Sequence, residues 1–256
     1  MIAALPMYDR AETAAANDRF WALVRDGLRA RGIDAPDALR RGDADLMPQW
    51  LSPDLVLSQT CGFPYRARLH GRVQLVGTPD YGVEGCPPGH YRSILIAHPD
   101  DPRGTLAAFD GAAMAYNDGM SQSGWAAAQN HAAQAGIRLA AGPETGSHRA
   151  SFLAVAEGRA ALAAIDAVTF AYLSQFDAAR DRVKVIGATD PTPGLPYVCA
   201  LAVDAGAVLA AVESAIPALS PQDRALLRLK RIVQLPPAAY LAVASPAIPS
   251  GGTRGK

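Results

Sequence analysis

The sequence has no excess of charge of either sign. Over its 256 residues, 24 Lys and Arg side chains balance 24 Asp and Glu side chains. This balance excludes the basic surface by which nucleic-acid binders and anionic-membrane binders attract their partners. Any anion that this protein binds must therefore be held by a local site.

Cysteine is scarce, and long hydrophobic runs are absent. Cys61, Cys86 and Cys199 are too few and too scattered for a zinc site or a disulfide framework. We expect buried or half-buried thiols, with a Cys61–Cys86 bridge as the alternative in an oxidising compartment. No stretch reaches the roughly 18 uninterrupted apolar residues of a membrane-spanning helix, so we expect no such helix.

The first residues lack the features of an export signal. The segment from Met1 to Tyr8 is apolar, but it is too short for the hydrophobic region of a signal peptide, and no basic segment precedes it. We interpret it as a first core strand and expect no export signal in this chain.

The remaining composition is that of a globular α/β protein. Hydrophobic residues make up 50% of the chain and charged residues 19%. Short apolar runs alternate with amphipathic stretches, which is the pattern of strands followed by helices. A chain of this length forms one large domain or two modest lobes. The Gly-rich tail from Ser250 to Lys256 is expected to be frayed.

Predicted helices and strands follow this alternation along the chain. From Thr13 to Arg31, apolar residues recur at the spacing of one helix face, and Gly32 ends the helix. The other predicted helices run from Ser123 to Ala135, from His148 to Glu157 and from Val168 to Phe176, and two more follow, the second beginning at Ser220. The predicted strands are Asp54–Gln59, Val73–Pro79, Tyr91–Ala97, Ala112–Tyr116, Leu162–Ile165, Val183–Gly187 and Leu195–Leu201.

The segment from Tyr116 to Trp125 has the most informative pattern, a strand followed by a polar loop and a helix start. A helix N-terminus exposes backbone N–H groups and about half a positive charge, so it binds an oxyanion without Lys or Arg. Ser121 and Ser123 add hydroxyl donors there, with Gln122 between them. The alternative is that one of the serines only caps the helix.

A second junction, from Gly142 to Ser151, repeats this pattern. Thr145 and Ser147 place hydroxyl groups at a helix start, and His148 is either a donor to an anion or a surface residue of the first turn. A serine beside a histidine also suggests nucleophilic catalysis, but adjacent residues do not face each other on a helix. Since no G-x-S-x-G motif is present, we do not expect a hydrolase.

A third junction follows the predicted strand that ends at Ile165. Asp166 either caps the next helix or meets the ligand, accepting a proton from a phosphoryl oxygen or pairing with an ammonium group. Proton acceptance favours phosphate-like anions over fully ionised sulfate. Ligands of open α/β sheets bind beyond the carboxyl ends of strands, and all three junctions are such ends. Matching residues at strand ends in the other half of the chain are Tyr8, Gln59, Thr60 and Tyr81.

Five short motifs, taken in combination and order, make the chain similar to a known family. They are Ser58-Gln59-Thr60-Cys61-Gly62, Val76-Gly77-Thr78-Pro79, Tyr91-Arg92-Ser93, Thr145-Gly146-Ser147-His148 and Ala164-Ile165-Asp166-Ala167-Val168-Thr169. With these motifs the chain resembles the phosphate/phosphite/phosphonate-binding proteins of ABC importers. The resemblance covers roughly Met1 to Val203.

The resemblance implies an α/β architecture, the type 2 periplasmic-binding-protein fold. Two lobes, each a mixed sheet flanked by helices, would clamp an oxyanion between them at helix N-termini. The implied first lobe is residues 1–97 together with 188–256, and the second is residues 98–187. The implied hinge crossings lie near Ala97–His98 and Gly187–Ala188.

The resemblance also implies the ligand contacts. The phosphoryl group would be held by Ser121, Gln122 and Ser123, a Ser-Gln-Ser triplet that departs from a Ser-Thr-Ser cradle and so changes the number of hydroxyl groups. The other expected contacts are Thr145, Ser147, His148 and Asp166 in one lobe and Tyr8, Gln59, Thr60 and Tyr81 in the other.

The leading hypothesis is a non-catalytic solute-binding protein for a small phosphonate- or phosphate-like oxyanion, feeding an ABC permease. We expect no cofactor, no metal and no nucleic-acid partner. The resemblance implies a periplasmic location, whereas a genuine start at Met1 would imply a cytoplasmic relative. The alternatives are a cytoplasmic enzyme for a small phosphorylated metabolite, which needs an activated His148 or Cys61, and a ligand sensor, which needs an attached signalling segment.

Overall fold

The computed structural model describes residues 1–42 and 45–249. Its strands are β1 (Ile2–Ala4), β2 (Leu55–Gln59), β3 (Gln74–Asp80), β4 (His90–Tyr91), β5 (Ser93–Ala97), β6 (Ala113–Tyr116), β7 (Ala140–Glu144), β8 (Leu162–Asp166), β9 (Lys184–Ala188), β10 (Thr192–Pro193), β11 (Tyr197–Cys199) and β12 (Arg231–Val233). The expectation of a frayed tail from Ser250 to Lys256 concerns residues outside the described part of the chain.

Helices connect most of these strands. They are α1 (Ala14–Arg29), α2 (Met47–Trp50), α3 (Gly62–Pro64), α4 (Ala127–Gln134), α5 (His148–Ala156), α6 (Ala167–Phe176), α7 (Ala205–Ala218), α8 (Pro221–Leu226) and α9 (Pro237–Leu241). A π turn over Tyr65–Leu69 continues α3, and another over Gln122–Ala126 opens α4. Short 3₁₀ helices lie at Leu106–Phe109 and Arg180–Arg182.

The chain divides into two compact units. The first unit holds Met1–His90 and Pro193–Ala242, and the second holds Tyr91–Thr192 and the segment that begins at Val243. The chain therefore passes from the first unit to the second, back to the first, and in a third passage into the second again. Strands β4 and β10 span the first two passages and pair with each other.

The first unit is built on a five-stranded mixed sheet in the order β1-β2-β11-β3-β12. Strand β1 runs parallel to β2, and β11 runs antiparallel to both β2 and β3. Strands β1, β2 and β3 therefore point the same way, and their carboxyl ends share one edge of the sheet.

Helix α1 forms the core of the first unit together with α7. Phe20, Trp21, Val24 and Leu28 are buried, because residues three and four apart lie on one face of a helix. The predicted end at Gly32 is confirmed, since this residue takes the left-handed conformation just after the helix. The predicted start of α8 is confirmed as well, with Ser220 capping it and Pro221 in its first position.

The second unit is built on a sheet in the order β7-β6-β8-β5-β9. Strand β6 runs parallel to both β7 and β8, while β5 runs antiparallel to β8 and β9. The residues packed against this sheet include Phe152 and Val155 of α5 and Leu173 of α6, all buried. The carboxyl ends of β6, β7 and β8 therefore meet at one edge, and each is followed by a helix.

The boundaries of the two units differ from the expected lobes. Strand β5 was expected in the first lobe, but it pairs with β8 and β9 inside the second unit. The polar break that begins at His98 is therefore a turn within the second unit, and the passages lie after His90 and after Thr192. The segment that begins at Val243 also belongs to the second unit rather than the first. The expected boundaries came from the family resemblance, and the sequence pattern itself does not distinguish a turn from a passage, because both use the same residue types.

The sequence predicts neither a membrane-spanning helix nor a disulfide framework. Throughout residues 1–42 and 45–249, no helix combines the length and apolar character needed to cross a bilayer. The structure has the three cysteines as thiols rather than a Cys61–Cys86 bridge, with Cys199 buried and the other two half-buried.

Two phenylalanines of the second unit test this account of its core. Phe152 is fully buried whereas Phe176 is 39% exposed. Phe152→Ala should lower the free energy of unfolding by about 3–5 kcal/mol, because it removes a ring and leaves a cavity. Phe176→Ala, the matched control, should cost less than about 1 kcal/mol. Urea unfolding followed by tryptophan fluorescence measures both, and equal losses would contradict the assignment.

Candidate functional site

The helix after β6 begins at the Ser-Gln-Ser triplet. Ser121 is its N-cap, and its Oγ accepts a hydrogen bond from the Gly124 backbone N–H at 2.9 Å. The Ser121 carbonyl accepts from the N–H groups of Trp125 and Ala126, which makes the first turn a π turn. The capping role left open for Ser121 is therefore observed. The turn places Ser121 and Ser123 together, 6% and 3% exposed.

Ser123 is the centre of the hydrogen bonds in this region. Its Oγ forms a 2.9 Å hydrogen bond with Nε2 of His148, the first residue of α5. Its backbone carbonyl accepts a 2.8 Å hydrogen bond from the Ser93 hydroxyl. Ser123 thus connects the starts of two helices, which the sequence pattern alone did not predict.

His148 is held in its neutral form by its surroundings. The residue as a whole is half-buried, but its Nδ1 is shielded from solvent and has no hydrogen-bond partner among the described residues. Burial lowers the pKa of His148 to about 4, and the backbone carbonyl of Ala164 offsets only part of this effect. At neutral pH the imidazole is a hydrogen-bonding group without charge.

Thr145 and Ser147 shape the loop before α5. The Thr145 hydroxyl lies 3.1 Å from the Tyr116 carbonyl and 2.6 Å from the Ser151 hydroxyl. Ser147 is the N-cap of α5, its Oγ accepting from the Ala150 N–H at 3.1 Å. These contacts give both side chains a role in holding the loop, and a ligand contact remains a prediction for each.

Asp166 is buried at the end of β8. Its Oδ1 accepts a 2.9 Å hydrogen bond from the Thr169 N–H, so the carboxylate caps α6. Its partner across the sheet is Ser93, the residue that donates to Ser123. The capping role left open by the sequence is therefore observed, and it keeps the carboxylate beside the Ser123 region.

The three helix starts meet at one edge of the second unit's sheet. The loops after β6 and β7 are joined by hydrogen bonds from the Thr145 N–H to the Tyr116 carbonyl at 2.9 Å and from the Gly146 N–H to the Asn117 carbonyl at 3.0 Å. Since β6, β7 and β8 are parallel neighbours, the positive ends of their following helices lie together. We call this set the anion cluster: Ser121, Gln122, Ser123, Thr145, Ser147, His148 and Asp166.

The first unit brings together its own four predicted residues. They follow β1, β2 and β3 at one edge of that unit's sheet. The rings of Tyr8 and Tyr81 meet edge to face, with centroids 4.9 Å apart. Gln59 Nε2 donates to the Tyr81 hydroxyl at 3.0 Å and to the Leu195 carbonyl at 3.2 Å. Thr60 is fully buried, and its hydroxyl has no hydrogen-bond partner within the described chain.

Sequence reasoning missed three residues around these clusters. Ser93 belongs to a quoted motif but received no role. Asn117 packs so closely on the helix start that a Cβ at Gly124 would lie 1.8 Å from its Oδ1. Tyr197 interacts with Tyr81 in the first unit, and burial raises the pKa of its hydroxyl. Ser93 and Asn117 both lie in segments that the sequence analysis singled out, whereas the Tyr197 contact joins distant segments and had no local signal.

The Ser123–His148 pair lacks the environment of a catalytic pair. A general base for a serine needs a pKa near the working pH. Burial lowers the pKa of His148 to about 4, well below neutral pH. Neutral donors at helix starts are suited to holding an oxyanion. Among the residues that the structure describes, no three His, Cys, Asp or Glu side chains are grouped to hold a metal ion.

A protein-family model matches most of the chain. The model for the ABC transporter, phosphonate, periplasmic substrate-binding protein matches residues 54–240. The chain belongs to this phosphonate-binding family. The resemblance expected from the five motifs is thereby confirmed. A search of curated protein sequences found no match.

Solved structures share the fold across nearly the whole chain. PhnD1 from Prochlorococcus marinus, in complex with methylphosphonate, is 14% identical with a TM-score of 0.71, covering 93% of this chain and 94% of that one. XAC2383 from Xanthomonas citri, bound to chloride, is 16% identical with a TM-score of 0.69, at 93% and 92% coverage. A binding protein component of an ABC phosphonate transporter, PA3383 from Pseudomonas aeruginosa, is 16% identical with a TM-score of 0.64, at 91% and 80% coverage. These likenesses confirm the type 2 periplasmic-binding-protein fold.

The lowered pKa of His148 makes stability depend on pH. Because the unfolded state, with an ordinary pKa of 6.5, binds the proton more tightly, this contribution is complete above pH 6.5 and is lost as the pH falls toward 4. The loss is at most about 1.4 kcal/mol per pH unit. His148→Gln should flatten the profile from pH 7 to 4 in urea unfolding. His98→Gln should leave it steep, and equal slopes in wild type and His148→Gln would refute the assignment.

Proposed function

We propose that this chain binds a small phosphonate- or phosphate-like oxyanion and supplies it to the permease of an ABC importer. Membership of the phosphonate-binding family supports the transport role, since family members are substrate-binding transport proteins of the periplasm. A periplasmic location and a non-catalytic role for this chain are parts of the proposal. PhnD1, which shares the fold, was solved with methylphosphonate.

The joined helix starts of the anion cluster carry this proposal. Ser123 and His148 lie in the first turns of two helices and are hydrogen bonded at 2.9 Å, with Ser121 capping the first helix. Backbone N–H groups of these first turns are the groups that a helix leaves unsatisfied. Hydroxyl and amide donors placed beside them suit the several oxygens of a tetrahedral oxyanion.

Asp166 supplies the selectivity in this proposal. A carboxylate accepts hydrogen bonds and repels a fully ionised anion, so it favours an oxygen that still bears a proton. Phosphate and alkylphosphonates have such an oxygen near neutral pH, whereas sulfate does not. Asp166 is 1% exposed and lies opposite Ser93, the donor to Ser123, which supports its placement beside the oxyanion.

The first unit, taken by itself, holds the remaining predicted ligand contacts. Tyr8, Gln59, Thr60 and Tyr81 share one sheet edge, where Tyr81 contacts both Tyr8 and Gln59. A buried hydroxyl without a partner, as in Thr60, is rare in native proteins and is commonly explained by water or a ligand.

A panel of small anions tests the proposed function. At about 100 times its dissociation constant, a ligand adds roughly 2.7 kcal/mol, which raises the Tm of a protein of this size by roughly 5–10 °C. We expect this rise with methylphosphonate, phosphite or phosphate and a much smaller one with sulfate and carboxylates. Thermal unfolding measures it, and mass spectrometry should recover the ligand unchanged. A preference for sulfate, or a chemically altered ligand, would overturn the proposal.

The role of the hydroxyl groups is tested separately. Ser121→Ala with Ser123→Ala should abolish the rise in Tm with methylphosphonate, because the cradle loses two hydroxyls and the bond to His148. Ser220→Ala is the matched control, since it removes an N-cap hydrogen bond of 3.0 Å at α8 and costs about 1 kcal/mol of stability. It should lower the Tm and leave the ligand-induced rise intact. Full affinity in the double variant would place the site elsewhere.

A further inference from the structure

The last described residues of the chain lie against the helix that follows β6. The first turn of this helix belongs to the anion cluster. After Ala242 the chain enters the second unit, and residues 243–249 lie against the π turn and α4. We call these residues the strap. The Trp125 indole N–H donates to the Ala247 carbonyl at 2.9 Å, and the Asn130 amide donates to the Ala244 carbonyl at 2.9 Å. Two side chains of one helix thus hold two backbone carbonyls of the strap.

The strap also contacts the loop that leads into Ser121. A Cβ at Gly119 would lie 2.9 Å from both Ile248 Cγ2 and Pro249 Cδ. The φ angle of Gly119 is not in the left-handed region, so its backbone does not require glycine. Close approach of the strap is therefore the reason for a residue without a side chain at this position.

Hydrophobic burial explains only part of the docking of the strap. Val243, Pro246 and Pro249 are half-buried, but Ile248 is 48% exposed. Pro246 and Pro249 lack an N–H and restrict the chain before docking, which lowers the entropy that docking costs. The specific interactions of the strap include the two hydrogen bonds and the contact at Gly119.

Trp125 transmits this docking to the anion cluster. Its ring packs at 5.0 Å from the ring of Tyr116, the last residue of β6, so the indole lies between the sheet and the strap. Ser121 and Ser123 precede it in the same π turn. A displacement of Trp125 therefore moves the turn that holds both hydroxyl groups.

We propose that the strap is a positioning element of the oxyanion site, acting through Trp125, Asn130 and Gly119. It fixes the helix start before the ligand arrives, and such preorganisation strengthens binding without any contact to the ligand. This inference rests on the proposed function, because it assigns the strap a role in that same site.

The experiment compares two truncations. Ending the chain after Ala242 removes the strap, and ending it after Pro249 is the matched control. The first should weaken methylphosphonate binding about tenfold in calorimetry, the loss expected for one or two hydrogen bonds, and the second should leave it unchanged. Asn130→Ala, which removes one anchor from a half-buried position, should give a smaller loss of the same kind. Equal affinity in the two truncated proteins would overturn the proposal.

Gly119→Ala separates positioning from a general loss of stability. In the full chain, its methyl group displaces the strap and should weaken binding severalfold. In the chain that ends after Ala242, the same substitution should have no further effect, because the strap it collides with is gone. An equal loss in both backgrounds would mean that Gly119 acts without the strap.

A ligand-free measurement keeps this inference separate from the proposed function. Without the strap, Trp125 loses a neighbour, so its emission should shift to the red, and hydrogen exchange of the amides of residues 118–126 should accelerate. Unchanged exchange would refute the positioning role even if methylphosphonate binds. A different outcome is accelerated exchange together with no methylphosphonate binding by the full chain. The strap would then still hold the loop, but the proposed ligand would be overturned, and the positioning of an oxyanion site with it.

Discussion

The hydrogen bond between Ser123 and His148 is the interaction on which the anion cluster depends. It joins the first turns of two helices that follow adjacent parallel strands, β6 and β7. If either helix moved, a shielded ring or a buried hydroxyl would lose its partner, at a cost of about 1–3 kcal/mol. The bond therefore fixes the relative position of two helix N-termini, and their amide dipoles converge as a consequence.

This arrangement agrees with the proposed binding of an anion by a chain whose net charge is zero. The donors of the anion cluster are hydroxyl groups, an amide and a neutral imidazole, and its one carboxylate is already engaged as a helix cap. Arg149, the residue after His148, is paired with Asp177 at 2.7 Å. Its charge is thus neutralised within the fold. In the proposed site, attraction would come from oriented dipoles at short range, which is consistent with the absence of a net charge on the chain.

Local signals in the sequence predicted much of the fold and the capping residues, but not the long-range contacts. Ser121 and Asp166 stand at helix starts as expected, because a short polar side chain after an apolar run has few other roles. The bond from Ser123 to His148 joins residues 25 positions apart, and no local pattern encodes it. The three-residue strand β12 and the short helix α9 went unpredicted, since both are too brief for periodicity to appear. The passages between units, which the family resemblance implied near His98 and Gly187, lie after His90 and after Thr192 by the division into compact units.

The π turn over Gln122–Ala126 separates two features that an ordinary helix would couple. One is which side chains of the turn face the anion cluster, and the other is how α4 packs against its sheet. A π turn contains one residue more than an α turn, and each residue rotates a helix by about 100°. The length of the turn, rather than the register of α4 on the sheet, therefore decides which side chains face the cluster. In evolutionary terms, losing one residue here could redirect the hydroxyl groups while the packing of α4 against its sheet stayed as it is, so ligand preference could diverge without remaking the core.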